Sequence, residues 1–137
     1  MTSINHCWVY NLRYLRKGMR ILIVDDTYFM RELISESLQE RGFNELTQAS
    51  NGEEALSALS DEHYDLIVTD WNMPKINGVE LIKQVKLEPA YRDIKIIMLT
   101  GDTSPDKVQQ MSQLGVNAYI SKPFSPESLS DLVVKLA

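Results

Sequence analysis

The chain has 137 residues, 44% of them apolar and 24% charged, with a formal net charge of −5 and one cysteine. That length is about one domain and can bury roughly two thirds of its unfolded surface, so a core can form without staples. The single Cys7 excludes an internal disulfide and a cysteine-based zinc cluster, and no apolar run approaches the roughly 20 residues of a membrane helix.

Residues 1–18 stand apart. Arg13, Arg16, Lys17 and Arg20 give the first 20 residues a charge of +4, against −9 for the rest of the chain. Trp8, Leu12 and Leu15 fall at i, i+4 and i+7, the spacing of a short basic amphipathic helix. Two readings follow: a docking or membrane-surface element, or a loosely attached or non-native extension, because Met19-Arg20 directly precedes the first strand and reads like a natural start. Asn5, His6, Asn11 and Arg13 interrupt any signal-peptide core, so a cytosolic protein is expected. A remainder at −9 is a poor nonspecific binder of nucleic acid, whose affinity comes mainly from phosphate neutralisation.

From residue 20 onward strand and helix alternate. Residues 21–24 are a fully apolar strand. Residues 28–41 place Met30, Leu33, Ile34, Ser37 and Leu38 at helical spacing, with Gly42 where a C′ residue belongs. Residues 45–49 form a weaker strand expected at a sheet edge. Residues 51–60 form a short helix with Ala55, Leu56 and Leu59 inward, and 66–69 a strand. Residues 77–87 form a helix on Val79, Leu81, Ile82 and Val85, and 94–99 the next strand. Helices over 105–114 and 126–136 each begin with Pro at N1 behind a serine N-cap, Ser104 and Ser125, with Gly115 closing the first; residues 118–121 are the strand between them. Met30, Met98 and Met111 read as core. His6 and His63 lie in polar stretches and read as solvated. Five strands alternating with five helices predict an α/β fold with a doubly wound parallel sheet covered on both faces.

The chemistry gathers where these strands end. Val24 leads into Asp25-Asp26, Thr69 into Asp70, Leu99 into Thr100-Gly101, and Ser121 into Lys122-Pro123. In open α/β sheets the carboxyl ends of the strands hold the sites. Singly, an Asp pair after a strand reads as a helix cap, a Lys-Pro as a turn and a strand-end Thr as β-propensity. Jointly they read as a site. Three carboxylates packed together repel and call for a cation, and all-oxygen ligation suits magnesium. Lys122 adds a mobile point charge, Thr100 a hydroxyl donor, and Gly101 leaves room beside it. The set meets the needs of phosphoryl transfer to a carboxylate, giving an acyl phosphate.

With these pieces in place, the chain resembles the receiver domains of two-component signalling, and most closely stand-alone chemotaxis response regulators. The resemblance rests on Val24-Asp25-Asp26, on Asp70-Trp71-Asn72-Met73-Pro74 with Asn77-Gly78, on Leu99-Thr100-Gly101, and on Tyr119 through Lys122-Pro123-Phe124, spanning residues 20–136. It implies a five-stranded flavodoxin-like receiver domain over 19–137. It implies that Asp70 accepts a phosphoryl group from a histidine kinase. It implies that Asp26, Asp70 and the Asn72 carbonyl bind magnesium directly, with Asp25 acting mostly through water. It further implies that Lys122 and Thr100 bind the phosphoryl group, that Thr100 and Tyr119 switch together, and that the peptide before Pro123 is cis.

There are departures. Thr27 stands where chemotaxis regulators often carry an aromatic residue, and Asp102 where a longer Glu is typical. Leu132 replaces a lysine that close relatives use for the flagellar motor, which puts that partner in doubt. Leu129, Leu132, Val133 and Leu136 share one helical stripe: either all four are core, or Leu132 sits at a rim with Val108 and Tyr119 and contacts a partner helix. The expected protein is a monomeric single-domain switch, not an enzyme beyond its own phosphorylation and dephosphorylation. Its expected partners are a kinase, an output protein and a phosphatase. The alternatives are a phosphorelay intermediate, a regulator of another protein, or an inert receiver-like scaffold. A phosphatase with an Asp nucleophile is disfavoured, because such enzymes want two acids spaced D-x-D on one loop.

Overall fold

A computed structural model describes residues 18–137. The reading of residues 1–17 as an extension or amphipathic element therefore lies outside the described residues. The strands are β1 (Arg20–Val24), β2 (Glu45–Ala49), β3 (Leu66–Asp70), β4 (Lys95–Thr100) and β5 (Ala118–Ser121). The helices are α1 (Tyr28–Glu40), α2 (Gly52–Asp61), α3 (Gly78–Leu87), α4 (Pro105–Leu114) and α5 (Pro126–Leu136), with a 3-10 turn at Pro89–Tyr91. Among these helices none is long and apolar enough to cross a membrane.

All strand pairs are parallel, in the order β2-β1-β3-β4-β5, so β2 lies at an edge as its weaker apolar pattern predicts and β3 lies at the centre. Alternation along each strand divides the core in two. Leu22, Val24, Ile67, Ile96 and Met98 pack with Ala55, Leu59, Leu81, Ile82, Val85 and Met111 under α2, α3 and α4. Ile21, Ile23, Leu66, Val68, Ile97 and Leu99 pack with Ile34, Leu38, Leu129 and Val133 under α1 and α5. Central strands buried on both faces explain the unbroken apolar runs.

Helix ends follow local chemistry, with small differences from expectation. Asn51 and Asn77 precede α2 and α3 as N-caps, their side chains accepting from the backbone N–H of Glu54 and Glu80, so both helices begin one residue later than their patterns suggest. Ser125 caps α5 through its side chain, whereas Ser104 stands at the N-cap of α4 without a side-chain cap hydrogen bond. Instead the Asp102 carboxylate accepts from the Ser104 N–H at 3.0 Å. Gly42 and Gly115 both hold positive φ, 93° and 82°, as helix-terminating residues do. Leu129 and Val133 are core, whereas Leu132 and Leu136 are half-buried at its margin. The α5 stripe is therefore not core throughout. Met98 and Met111 are buried, Met30 half-buried, and His63 exposed beside Asp65.

Candidate functional site

The parallel register brings the strand ends level. Val24 pairs with Thr69 and Asp70 with Leu99, so Asp25, Asp70 and Thr100 emerge side by side; Thr100 pairs with Ser121, the residue before Lys122. The Asp25 N–H donates to the Ala49 carbonyl at 3.1 Å and the Lys122 N–H to the Thr100 carbonyl at 2.7 Å, which carries the ladder past the last paired residues. The Lys122-Pro123 peptide is cis.

Asp25, Asp26 and Asp70 each bring a carboxylate oxygen within 4.8 Å of the others. Their surroundings differ. Asp26 is exposed, while Asp25 is 2% exposed and Asp70 7%. One Asp25 oxygen accepts the Thr27 N–H at 2.8 Å. Its other, Oδ2, is buried without a hydrogen bond, with the Lys122 ammonium 3.8 Å away. Burial chiefly, and the neighbouring Asp70 charge, raise the Asp25 carboxyl above its ordinary range, against the Thr27 N–H and Lys122, which lower it. Lys122 approaches Asp70 more closely, at 3.0 Å. An orphaned buried carboxylate oxygen within a three-acid cluster of hard donors fits a divalent cation of the magnesium class. Asn72 lies in the turn two residues beyond Asp70 and is exposed.

Thr100 is buried, yet its hydroxyl turns to its own loop: it donates to the Asp102 carbonyl and accepts from the Asp102 N–H, both at 3.0 Å. Alternation puts Thr100 and Tyr119 on the same, α4-facing side of neighbouring strands. Tyr119 is 41% exposed and lines a groove of about 390 Å³ with Val108, Met111 and Val116. Leu132 packs on the opposite core, so Val108 and Leu132 flank the β5 edge from different sides. A Cβ built on Gly101 meets nothing within 4 Å, so space beside it is open.

Three neighbours of the site were not legible as such in the sequence. The Asn77-Gly78 pair signals a turn, but the demand on Gly78 is steric: a Cβ there would lie 2.2 Å from the Asp70 carbonyl oxygen. Arg31 reaches from α1 to donate to the Asp25 carbonyl at 2.8 Å and to the Gln48 side chain at 3.1 Å, with its guanidinium over the Tyr28 ring. Lys107 places its ammonium 4.6 Å from the Trp71 ring centroid. Periodicity carries no signal for Arg31 on the Asp25 carbonyl or for Lys107 on Trp71, because each of these contacts joins separate segments.

Comparison with known proteins agrees with this geometry. The family model described as the response regulator receiver domain matches residues 21–134. Chemotaxis protein CheY-3 of Vibrio cholerae is 36% identical over 122 residues, 89% of this chain and 94% of that protein. The solved structure of chemotaxis response regulator CheY4 of Vibrio cholerae superposes with a TM-score of 0.81 at 35% identity, covering 87% of this chain and 98% of that one. Response regulator TrrA of Thermotoga maritima, solved in complex with Mg(2+)-BeF, matches with a TM-score of 0.75 at 37% identity, covering 87% and 99%.

Proposed function

The chain belongs to the response regulator receiver family, and from that premise we propose that it is a phosphorylation switch whose acceptor is Asp70. The observation that carries this is the Lys122 ammonium 3.0 Å from an Asp70 carboxylate that ends the central strand beside Asp25 and Asp26. An Asp70 oxygen attacks the phosphorus of a kinase phosphohistidine. The new O–P bond forms as the P–N bond breaks, and the imidazole leaves with the electron pair. Lys122 holds the acceptor and then pairs with a phosphoryl oxygen, and the Thr100 hydroxyl exchanges its Asp102 partners for another. Magnesium, held by Asp26, Asp70 and the Asn72 carbonyl with Asp25 reaching it mostly through water, would supply the positive charge that offsets the phosphoryl oxygens.

Thr100 and Tyr119 share one face of adjacent strands, which supports coupling between them. Withdrawal of the Thr100 hydroxyl would free space for the half-exposed Tyr119 ring and alter the surface made by α4, β5 and α5. That surface, with Val108, Tyr119 and Leu132, is the proposed partner face, and its reader is a protein rather than nucleic acid. The relatives named for chemotaxis support a chemotaxis-class regulator, and Leu132 makes its partner face more apolar. The chain is read as a cytoplasmic monomer that catalyses only its own phosphorylation and dephosphorylation. Incubation with acetyl phosphate and magnesium should add one hydroxylamine-sensitive phosphoryl group to the wild type and none to Asp70→Asn. Equal labelling of the two would overturn the assignment.

A further inference from the structure

Lys107 has no part in the site as described, yet it joins two of its elements. It lies on the first turn of α4, half-buried, with its ammonium 4.6 Å from the Trp71 ring centroid. That is inside the roughly 6 Å over which a cation is held by an aromatic face, and Trp is the strongest such face. Trp71 follows Asp70 directly and is only 7% exposed. Its backbone is fixed on both sides: its N–H donates to the Leu99 carbonyl and its carbonyl accepts from the Gly78 N–H, each at 2.9 Å. The indole is therefore a rigid anchor. Just before Lys107 in the chain comes the loop that engages Thr100. The Asp102 backbone exchanges two hydrogen bonds with the Thr100 hydroxyl, and the Asp102 carboxylate accepts the Ser104 N–H. That carboxyl is held below its ordinary range, first by the Ser104 N–H and in smaller part by the Lys107 charge.

We propose that Lys107 is a positioning residue for Thr100: its ammonium, seated on the Trp71 indole, latches the start of α4 and so holds the 101–104 loop in the arrangement that engages the Thr100 hydroxyl. The inference rests on the reading that Thr100 serves the phosphoryl group on Asp70. For the hydroxyl to turn, the loop gives up both Asp102 hydrogen bonds, and the first turn of α4 moves relative to the fixed indole. A contact made in only one of two arrangements weights that arrangement by its own free energy. A cation over a largely buried indole weights it about two- to thirtyfold. Lys107 thus restrains the switch before phosphorylation and lets go as the phosphoryl group arrives.

The sign of the effect separates a latch from a bystander charge. Removing a cation near a site that receives an anionic donor should slow phosphorylation by Coulomb attraction lost. Removing a latch should quicken it. The initial rate of Asp70 phosphorylation by acetyl phosphate and magnesium should rise about two- to tenfold in Lys107→Met. It should stay near wild type in Lys107→Arg, whose guanidinium also stacks on an aromatic face. In the wild type, the Lys107 side-chain methylene protons should resonate upfield through the indole ring current and move toward exposed-lysine values when Asp70 is phosphorylated. A slowed or unchanged rate in Lys107→Met with Asp70 still labelled overturns the latch alone, as do lysine resonances that do not move on phosphorylation. No label on the wild type overturns the latch together with the reading beneath it.

Discussion

The acid pair after β1 divides unequal tasks between adjacent residues. Asp26 faces solvent, where its charge is readily hydrated. Asp25 is buried, with one oxygen lacking a hydrogen bond, and its carboxyl is raised above the ordinary range chiefly by that burial. Ionised Asp25 is therefore a cost to the metal-free fold at neutral pH. An amide at position 25 would still accept the Thr27 N–H through oxygen and could donate toward the neighbouring carboxylates. In EDTA at neutral pH, Asp25→Asn should melt about 3–5 °C above wild type, the shift expected of roughly 1 kcal/mol in a domain of this size. Asp26→Asn should move less. Calorimetry of the two variants checks both, and a destabilised Asp25→Asn would contradict the reading of its burial as a cost.

At the scale of elements, the turn between β3 and α3 is shaped by close approaches on both sides. The Gly52 N–H donates to the Ile76 carbonyl at 3.2 Å, and a Cβ on Gly52 would lie 2.6 Å from Ile76. Gly78 meets the Asp70 carbonyl in the same way, and Lys75 within the turn takes a positive φ of 64°. The acceptor strand and the turn that carries Asn72 are thus pressed together by absent side chains. Gly78→Ala should cost about 1–3 kcal/mol, as overpacking does. It should also slow Asp70 labelling by more than the lost stability explains, because the added methyl displaces the acceptor's own backbone. Denaturant unfolding beside phosphorylation of the folded fraction separates the two effects. Wild-type labelling in that fraction would show that the close approach does not position Asp70.

Over the whole molecule, the sheet collects like charges that the unfolded chain keeps apart. A cation that binds only the folded site adds stability by mass action, about 2.7 kcal/mol at a hundredfold excess over its dissociation constant. Millimolar-scale magnesium should therefore raise the melting temperature of the wild type, and the increment should shrink in Asp70→Asn, which loses a ligand. Melting curves with EDTA and with magnesium test this. Indifference of the wild type to magnesium would remove the case for a three-carboxylate cation site.

Strand and helix order, both faces of the core, the edge position of β2 and the grouping of Asp25, Asp26, Asp70, Thr100 and Lys122 were legible in the sequence. They follow from local rules: periods of 2.0 and 3.6, caps and breakers at element ends, and a parallel sheet that delivers every strand end to one edge. Boundaries drifted by a residue where Asn51 and Asn77 serve as caps, because a polar cap and a first helical residue look alike in a pattern. Tertiary structure alone decided which of two adjacent acids is buried, that the Thr100 hydroxyl is engaged by Asp102, that Gly78 abuts Asp70, that Leu132 lies at the margin of the α1/α5 core, and that Lys107 sits on Trp71. Each of these depends on contacts between residues or elements and on side-chain rotamers, and no repeat along the chain encodes either. Periodicity determines which face a residue takes; packing determines what it meets there.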